Sequence, residues 1–263
     1  MQQVEVISID GIRLEAAVDT AAGPVRRGVV VLVHGITVDM NEGGGMFVRL
    51  AGQLAVAGFD VVRFSFRGHG GSGGTQRGVT IAGECLDVQA VIEWVRARYA
   101  GPLSIVAASF GAVSALLSLS WLEEQLRTLV LWNPVLDLRR TFLDPELPWG
   151  LSNFGLKQQK HLQDNGFLVV DGEFELGRVL FGEFEVYQPA EELKYAEFPA
   201  LVVHGDRDAA VSYPIAADVA QSRRNTVLHT VAGSDHGFDS REREDEAISV
   251  TVAWLIERSA PAS

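Results

Sequence analysis

Leu103-Ser-Ile-Val-Ala-Ala-Ser109-Phe-Gly111-Ala-Val-Ser-Ala-Leu-Leu117 passes from an apolar strand into a helix of small residues, with one serine at the join. Residues 103–108 suit a strand and residues 110–122 a helix. A serine on such a sharp strand-to-helix turn presents its hydroxyl at the edge of a sheet. Small neighbours let the backbone turn tightly. The usual spacing is G-x-S-x-G; here Ala107 stands at the first glycine and Gly111 at the second. Alanine is still small enough for strand and helix to approach closely. Ser109 alone would serve equally well as a helix N-cap, so a chemical role depends on partners elsewhere.

The same rhythm extends in both directions. Residues 28–34, Gly-Val-Val-Val-Leu-Val-His, are a near-continuous β-branched run, as in strands buried on both faces of a parallel sheet. Phe47, Leu50, Ala51, Leu54 and Ala55 recur at helical spacing, and Gly58 closes that helix. Further strands are expected at 59–65, 126–132, 200–204 and 226–231, and helices at 81–99, 215–221 and 246–256. The acidic run at 241–246 opens the last helix as a solvated first turn. Residues 4–9 and 12–18 alternate around Asp10-Gly11, a hairpin signal. This pattern predicts an α/β fold: a mostly parallel eight-stranded sheet with an antiparallel edge and helices on both faces. In such sheets function sits in loops at the carboxyl ends of the strands.

Residues 134–198 break the rhythm, since connections between sheet elements usually take about 2–6 residues. The interval holds Phe142, Trp149, Phe154, Phe167, Phe174, Phe181, Phe184 and Tyr187. It reads as a cap (lid) inserted over the strand ends, between core segments 1–133 and 199–263. Most of these aromatics fit the insertion's own core, with one or two facing a pocket.

Composition removes several alternatives. A chain of 263 residues with 47% hydrophobic content can bury a core without staples, which excludes disorder. A single cysteine excludes a disulfide scaffold. Cys85, among Leu86, Val88 and Val91, reads as a packing thiol. A net charge of −12 argues against nucleic acid. No apolar run reaches the roughly 18 residues of a membrane span. The opening MQQVEVISIDG lacks the basic-then-apolar signature of a secretory signal. A cytoplasmic location is therefore expected.

A serine nucleophile needs a base, and the base needs an acid that fixes its tautomer. His236 lies in Gly233-Ser-Asp-His-Gly-Phe238, directly after the last expected strand. Asp208 lies in His204-Gly-Asp-Arg-Asp208, far enough past the preceding strand to point into the site. Asp206 would shape that loop by binding backbone amides. Asp235 and Asp137 are weaker rivals for the acid. The chain order is Ser109, Asp208, His236, each member following an expected strand. An oxyanion hole would take the backbone N–H groups of Phe110 and Ile36, with Gly35 permitting the turn and His34 in a supporting role.

These motifs together resemble the α/β-hydrolase superfamily along the whole chain, residues 1–263. His34-Gly35, Arg67-Gly-His-Gly-Gly-Ser-Gly73, Ala107-Ala-Ser-Phe-Gly111, His204-Gly-x-x-Asp208 and Asp235-His-Gly-Phe238 occur in that family's order. More narrowly the chain resembles the serine-aminopeptidase-like esterases, a group that includes bacterial cinnamoyl and feruloyl esterases. Residues 184–239 carry most of that likeness. The chain is also similar to acyl thioesterases of the luciferase fatty-acid system, where an alanine likewise precedes the serine turn. Both groups carry a pocket-building insertion between the sixth and seventh strands, which implies the same role for 134–198.

Gly68-His-Gly-Gly-Ser-Gly73 also fits the dinucleotide fingerprint, with Glu93 at a suitable distance, but that fingerprint belongs on the first strand–helix turn. The six histidines show no metal-ligand spacing. Neither cofactor nor metal is expected. The expected activity is hydrolysis of a small carboxylic ester through an acyl-serine. An acyl thioesterase or acyltransferase would use the same residues, and a ligand-binding receptor on this fold is the reading from another class. The expected partner is a small ester or thioester. A peptidase would need an acidic anchor for a free amine, for which Asp137, Asp144 and Glu146 are candidates. The cap and the edge strand at 4–9 are candidate surfaces for a homodimer.

Overall fold

The computed structural model describes residues 1–259. β1 (Gln2–Ile7) and β2 (Arg13–Asp19) pair antiparallel around a turn where Gly11 takes φ 86°. β3 (Gly28–Val33), α1 (Met46–Ala57), β4 (Phe59–Phe64), α2 (Ile81–Arg96) and β5 (Leu103–Ala108) follow. Gly58 ends α1 in the left-handed conformation that glycine adopts without strain. The single helix expected at 110–122 is divided into α3 (Gly111–Leu117) and α4 (Leu119–Leu122). At the division the Ser118 hydroxyl donates to the Ser114 carbonyl at 2.8 Å, a side-chain bond that competes with the helical ladder. β6 (Leu126–Trp132) completes the first half.

The intervening residues form α5 (Pro148–Phe154), α6 (Leu156–Asn165), β7 (Phe167–Val170), β8 (Phe174–Gly177), α7 (Arg178–Glu183) and α8 (Pro189–Tyr195). The chain returns through β9 (Ala200–Gly205), α9 (Tyr213–Ser222), β10 (Thr226–Val231) and α10 (Arg241–Ser259). The eight-stranded sheet has the order β1-β2-β4-β3-β5-β6-β9-β10. All pairs from β4 onward are parallel, and β2 pairs antiparallel with both its neighbours.

Strand side chains alternate between faces, so the sheet feeds two cores. Val29, Val31, Val33, Ile105 and Leu131 pack with α2, α3 and α9 on one side. Val30, Leu32, Val106 and Val130 pack with α1 and α10 on the other. Among the described residues no helix is long and apolar enough to cross a membrane.

Residues 134–198 build a third core with the loops that follow β3, β5, β6 and β9. Phe142 stacks on Phe184 with ring centroids 4.5 Å apart and meets Phe110 edge-on at 5.6 Å. Phe154, Leu176, Leu180 and Val211 close around them. Polar contacts fix residues 175–183 to the segment at the start of α2. Arg77 pairs with Glu175 at 2.7 Å, and its guanidinium lies 3.6 Å from the centroid of Phe167. Glu183 accepts the N–H of Ile81 at 2.6 Å and of Ala82 at 3.3 Å. It thereby satisfies orphan donors at the start of α2 from a distant part of the chain.

Glu183→Ala removes that cap and is expected to cost about 1 kcal/mol. Scanning calorimetry should show a fall in Tm of about 2–4 °C for a chain of this size. An unchanged Tm would contradict the capping role.

Candidate active site

β5 delivers Ser109 to the sheet edge with φ 50°, the left-handed region that costs a non-glycine residue strain. The turn is held from both sides: Ser109 N–H donates to the Trp132 carbonyl at 2.8 Å, and Val135 N–H to the Ser109 carbonyl at 3.0 Å. A Cβ at Gly111 would lie 2.2 Å from the His34 carbonyl oxygen, so only glycine lets α3 start this close to β3. Ala107 is fully buried.

The structure brings Ser109, His236 and Asp208 together. His236 Nε2 lies 3.0 Å from Ser109 Oγ, and Nδ1 lies 2.7 Å from Asp208 Oδ2. A carboxylate only accepts, so Nδ1 carries the proton and Nε2 is left to accept from the serine hydroxyl. Asp208 is buried. Its Oδ1 accepts the N–H groups of Ala210 and Val211, both at 2.8 Å. His204 Nε2 lies 3.1 Å from Oδ2. Burial would raise this carboxyl, but the His236 charge and the two histidine hydrogen bonds outweigh it and hold it well below the usual carboxylate range. Burial pulls the His236 imidazole down, and the Asp208 charge and hydrogen bond, with Glu42 and Asp235 behind them, raise it above its ordinary value.

The other aspartates do different work. Asp206 accepts the Gly233 N–H at 2.6 Å, the loop-shaping role expected of it. Asp235 accepts the N–H groups of Ala209 and His236, both at 2.8 Å, and so joins the Asp208 and His236 loops. Asp137 accepts the Arg140 N–H. Asp144 and Glu146 pair with Arg139 and Arg140, so the three proposed amine anchors are all engaged.

At the end of β3, a Cβ on Gly35 would lie 3.1 Å from that of Ser109. His34 is fully buried, and burial keeps its ring neutral. Its Nε2 accepts the Phe66 N–H at 2.9 Å, so Nδ1 donates to the Gly35 carbonyl at 2.6 Å. C=O and N–H point opposite ways in a trans peptide; fixing the Gly35 carbonyl therefore fixes the Ile36 N–H. Among the described residues, neither the Ile36 nor the Phe110 N–H donates a hydrogen bond.

Two residues escaped the sequence analysis. Glu42, itself left-handed at φ 59°, accepts the Gly35 N–H at 2.9 Å and holds the other side of the same turn. Burial raises its carboxyl. Asn133, also left-handed at φ 42°, donates to the His236 carbonyl and accepts the Gly205 N–H at 3.0 Å. Its position just past β6 was the available signal. Glu42 lies in an irregular loop and offered none.

A cavity of about 300 Å³ opens beside Ser109 and His236, walled by Ile36, Val135, Phe142, Trp149 and Val211. The Trp149 indole donates to Asp171 at the tip of the β7–β8 hairpin, 3.0 Å away. The glycine-rich loop at 68–73 packs elsewhere: Gly71 N–H donates to Glu15 at 2.8 Å, and Ser72 Oγ to the Ser65 carbonyl at 2.6 Å. Burial pushes the Cys85 thiol up to about 12. Among the described residues, no three His, Cys, Asp or Glu side chains are grouped to share a metal ion.

The parallel sheet, the serine turn and the order of the loops define an α/β-hydrolase fold. Residues 24–164 match the family described as serine aminopeptidase, S33, and the chain belongs to that hydrolase family. Among solved structures it is similar to ferulic-acid-bound Est1E from Butyrivibrio proteoclasticus, at 20% identity and a TM-score of 0.83, covering 98% of this chain and 100% of that one. A putative hydrolase from Agrobacterium vitis S4 is similar at 22% identity and a TM-score of 0.77, covering 97% and 98%. The Pyrococcus furiosus esterase Pf2001 is similar at 20% identity and a TM-score of 0.73, covering 98% and 93%. No curated protein matches the chain in sequence.

His236 and His69 should titrate far apart in NMR. His236 is expected above the ordinary value of about 6.5, because the facing carboxylates favour its protonated form. His69, desolvated by burial, is expected at about 4. Asp208→Asn should move His236 downward. A His236 midpoint at or below the ordinary value would contradict the arrangement.

Proposed function

We propose that the protein is a serine carboxylic ester hydrolase with Ser109 as nucleophile, His236 as general base and acid, and Asp208 as the acid that orients it. The observation that carries this is the continuous hydrogen-bonded chain Asp208–His236–Ser109, at 2.7 and 3.0 Å, beside two unengaged backbone N–H groups. Membership of a hydrolase family agrees with it. Two of the similar structures are named as an esterase and as a ferulic-acid complex.

Ser109 Oγ bonds to the ester carbonyl carbon as its proton passes to His236 Nε2. The negative charge on the carbonyl oxygen is held by the N–H groups of Ile36 and Phe110. The carbon–oxygen bond to the alcohol breaks, and the alcohol leaves with the proton from His236. Water then gives its proton to His236 and attacks the acyl-serine. The acid departs and Ser109 regains its proton. Asp208 stays ionised throughout and stabilises the imidazolium. His34 and Glu42 act through the Gly35–Ile36 turn, and Asn133 through the histidine loop.

Residues 134–198 act here as a cap on core segments 1–133 and 199–263. Phe142 and Trp149 border the cavity beside Ser109, so an apolar or aromatic acyl group is the substrate portion that suits it.

A panel of esters differing in acyl group tests this reading. Turnover should favour apolar and aromatic acyl groups and be lost in Ser109→Ala. Asp208→Asn should lower kcat by about 10⁴-fold with the geometry retained. The base must be neutral, so kcat/KM should fall as pH drops through the raised His236 value. Turnover of short polar esters alone would overturn the acyl assignment. Full activity in Ser109→Ala would overturn the mechanism.

A further inference from the structure

A second cavity, of about 260 Å³, meets the first at Ser109 and His236. Core residues line it, and none comes from the insertion. It lies between the loop before α1 and the histidine loop, with Met46, Trp132 and Phe238 among its walls. Trp132 and Phe238 meet edge-to-face at 5.7 Å. The Trp132 indole N–H already donates to Thr251 at 2.8 Å, so this part of the wall presents apolar surface. Gly43 borders the cavity with no side chain, and a Cβ built there would meet nothing within 4 Å.

Two features distinguish what this space can hold. First, both cavities reach His236 but only the first includes Ile36, so an occupant of the second sits against the proton donor and away from the Ile36 N–H. In ester cleavage that is the departing half of the substrate. Second, no lysine or arginine lines either cavity, while carboxylates do. Glu42 borders both, and Glu244, paired with Arg49, borders the second. An anionic group entering here would meet Glu42 and find no lysine or arginine on the cavity wall to receive it, since the nearby Arg49 is already committed to Glu244.

Resting on the ester-hydrolase reading, we propose that the second cavity is the leaving-group subsite and takes an uncharged or cationic alcohol or thiol with an apolar body. Leaving groups that carry phosphate or carboxylate close to the scissile bond are disfavoured. The acyl half occupies the cavity beneath the insertion. His236 Nε2 delivers to the leaving oxygen or sulfur the proton it took from Ser109, so bonds and protons balance.

The test keeps one acyl group and varies the alcohol: choline, its uncharged isostere 3,3-dimethylbutanol, and 4-hydroxybutanoate. Wild-type kcat/KM for the anionic ester should lie at least about tenfold below that of the uncharged one, equivalent to about 1.4 kcal/mol. The gap should narrow as salt is added. The choline ester should equal or exceed the uncharged ester. Met46→Ala, which widens only the second cavity, should improve bulky alcohols relative to methyl esters and leave acyl preference unchanged. Equal rates for all three alcohols, or a preference for the anion, would overturn the leaving-group assignment while the ester-hydrolase reading stands. If no ester is cleaved and wild type behaves as Ser109→Ala, the ester-hydrolase reading itself fails, and this inference with it.

Discussion

The carboxylate of Asp208 sits buried at the carboxyl end of the sheet, and much of the surrounding structure follows from keeping it charged there. Burying an isolated carboxylate is costly. Here two backbone N–H groups and two histidines surround it. The cost has not vanished: His204 reaches Asp208 with Nε2, and its Nδ1 is left buried without a partner among the described residues. The gain is a fixed orientation for His236. With Nδ1–H committed to Asp208, the opposite nitrogen presents its lone pair to Ser109.

The sheet brings these groups within reach because β5, β6, β9 and β10 are consecutive neighbours. Ser109 leaves β5, Asn133 leaves β6, Asp208 follows β9 and His236 follows β10. Asn133 sits between Ser109 and Asp208 and bonds to the segments that carry Asp208 and His236. Close approach imposes the glycines. At Gly205 a Cβ would lie 2.4 Å from the Ser234 carbonyl oxygen, so a side chain would push the Asp208 and His236 loops apart. Gly35 and Gly111 do the same for the turn facing Ser109.

Much of this was legible in the sequence because it is written in local patterns. β-branched runs marked the buried strands, Asp10-Gly11 marked the hairpin, and Ser109, Asp208 and His236 each lay just past a strand. The division at Ser118 was not legible, since a helix of small apolar residues looks continuous until one hydroxyl bonds backward. Nor was the β7–β8 hairpin, whose strands are too short for alternation to show. Glu42 escaped for a different reason. Its role is to accept the Gly35 N–H from within an irregular loop, and no periodicity reports such a contact. The aromatics of 134–198 could be recognised as a group, but which of them border Ser109 depends on tertiary packing.

Labelling of the native protein with a fluorophosphonate, read by intact mass and peptide mapping, tests the central claim most directly. An activated serine hydroxyl attacks phosphorus and retains it, whereas an ordinary one does not. The account predicts one adduct per chain, on Ser109, lost when the protein is unfolded before labelling. An unmodified native protein, or an adduct on another residue, would contradict it.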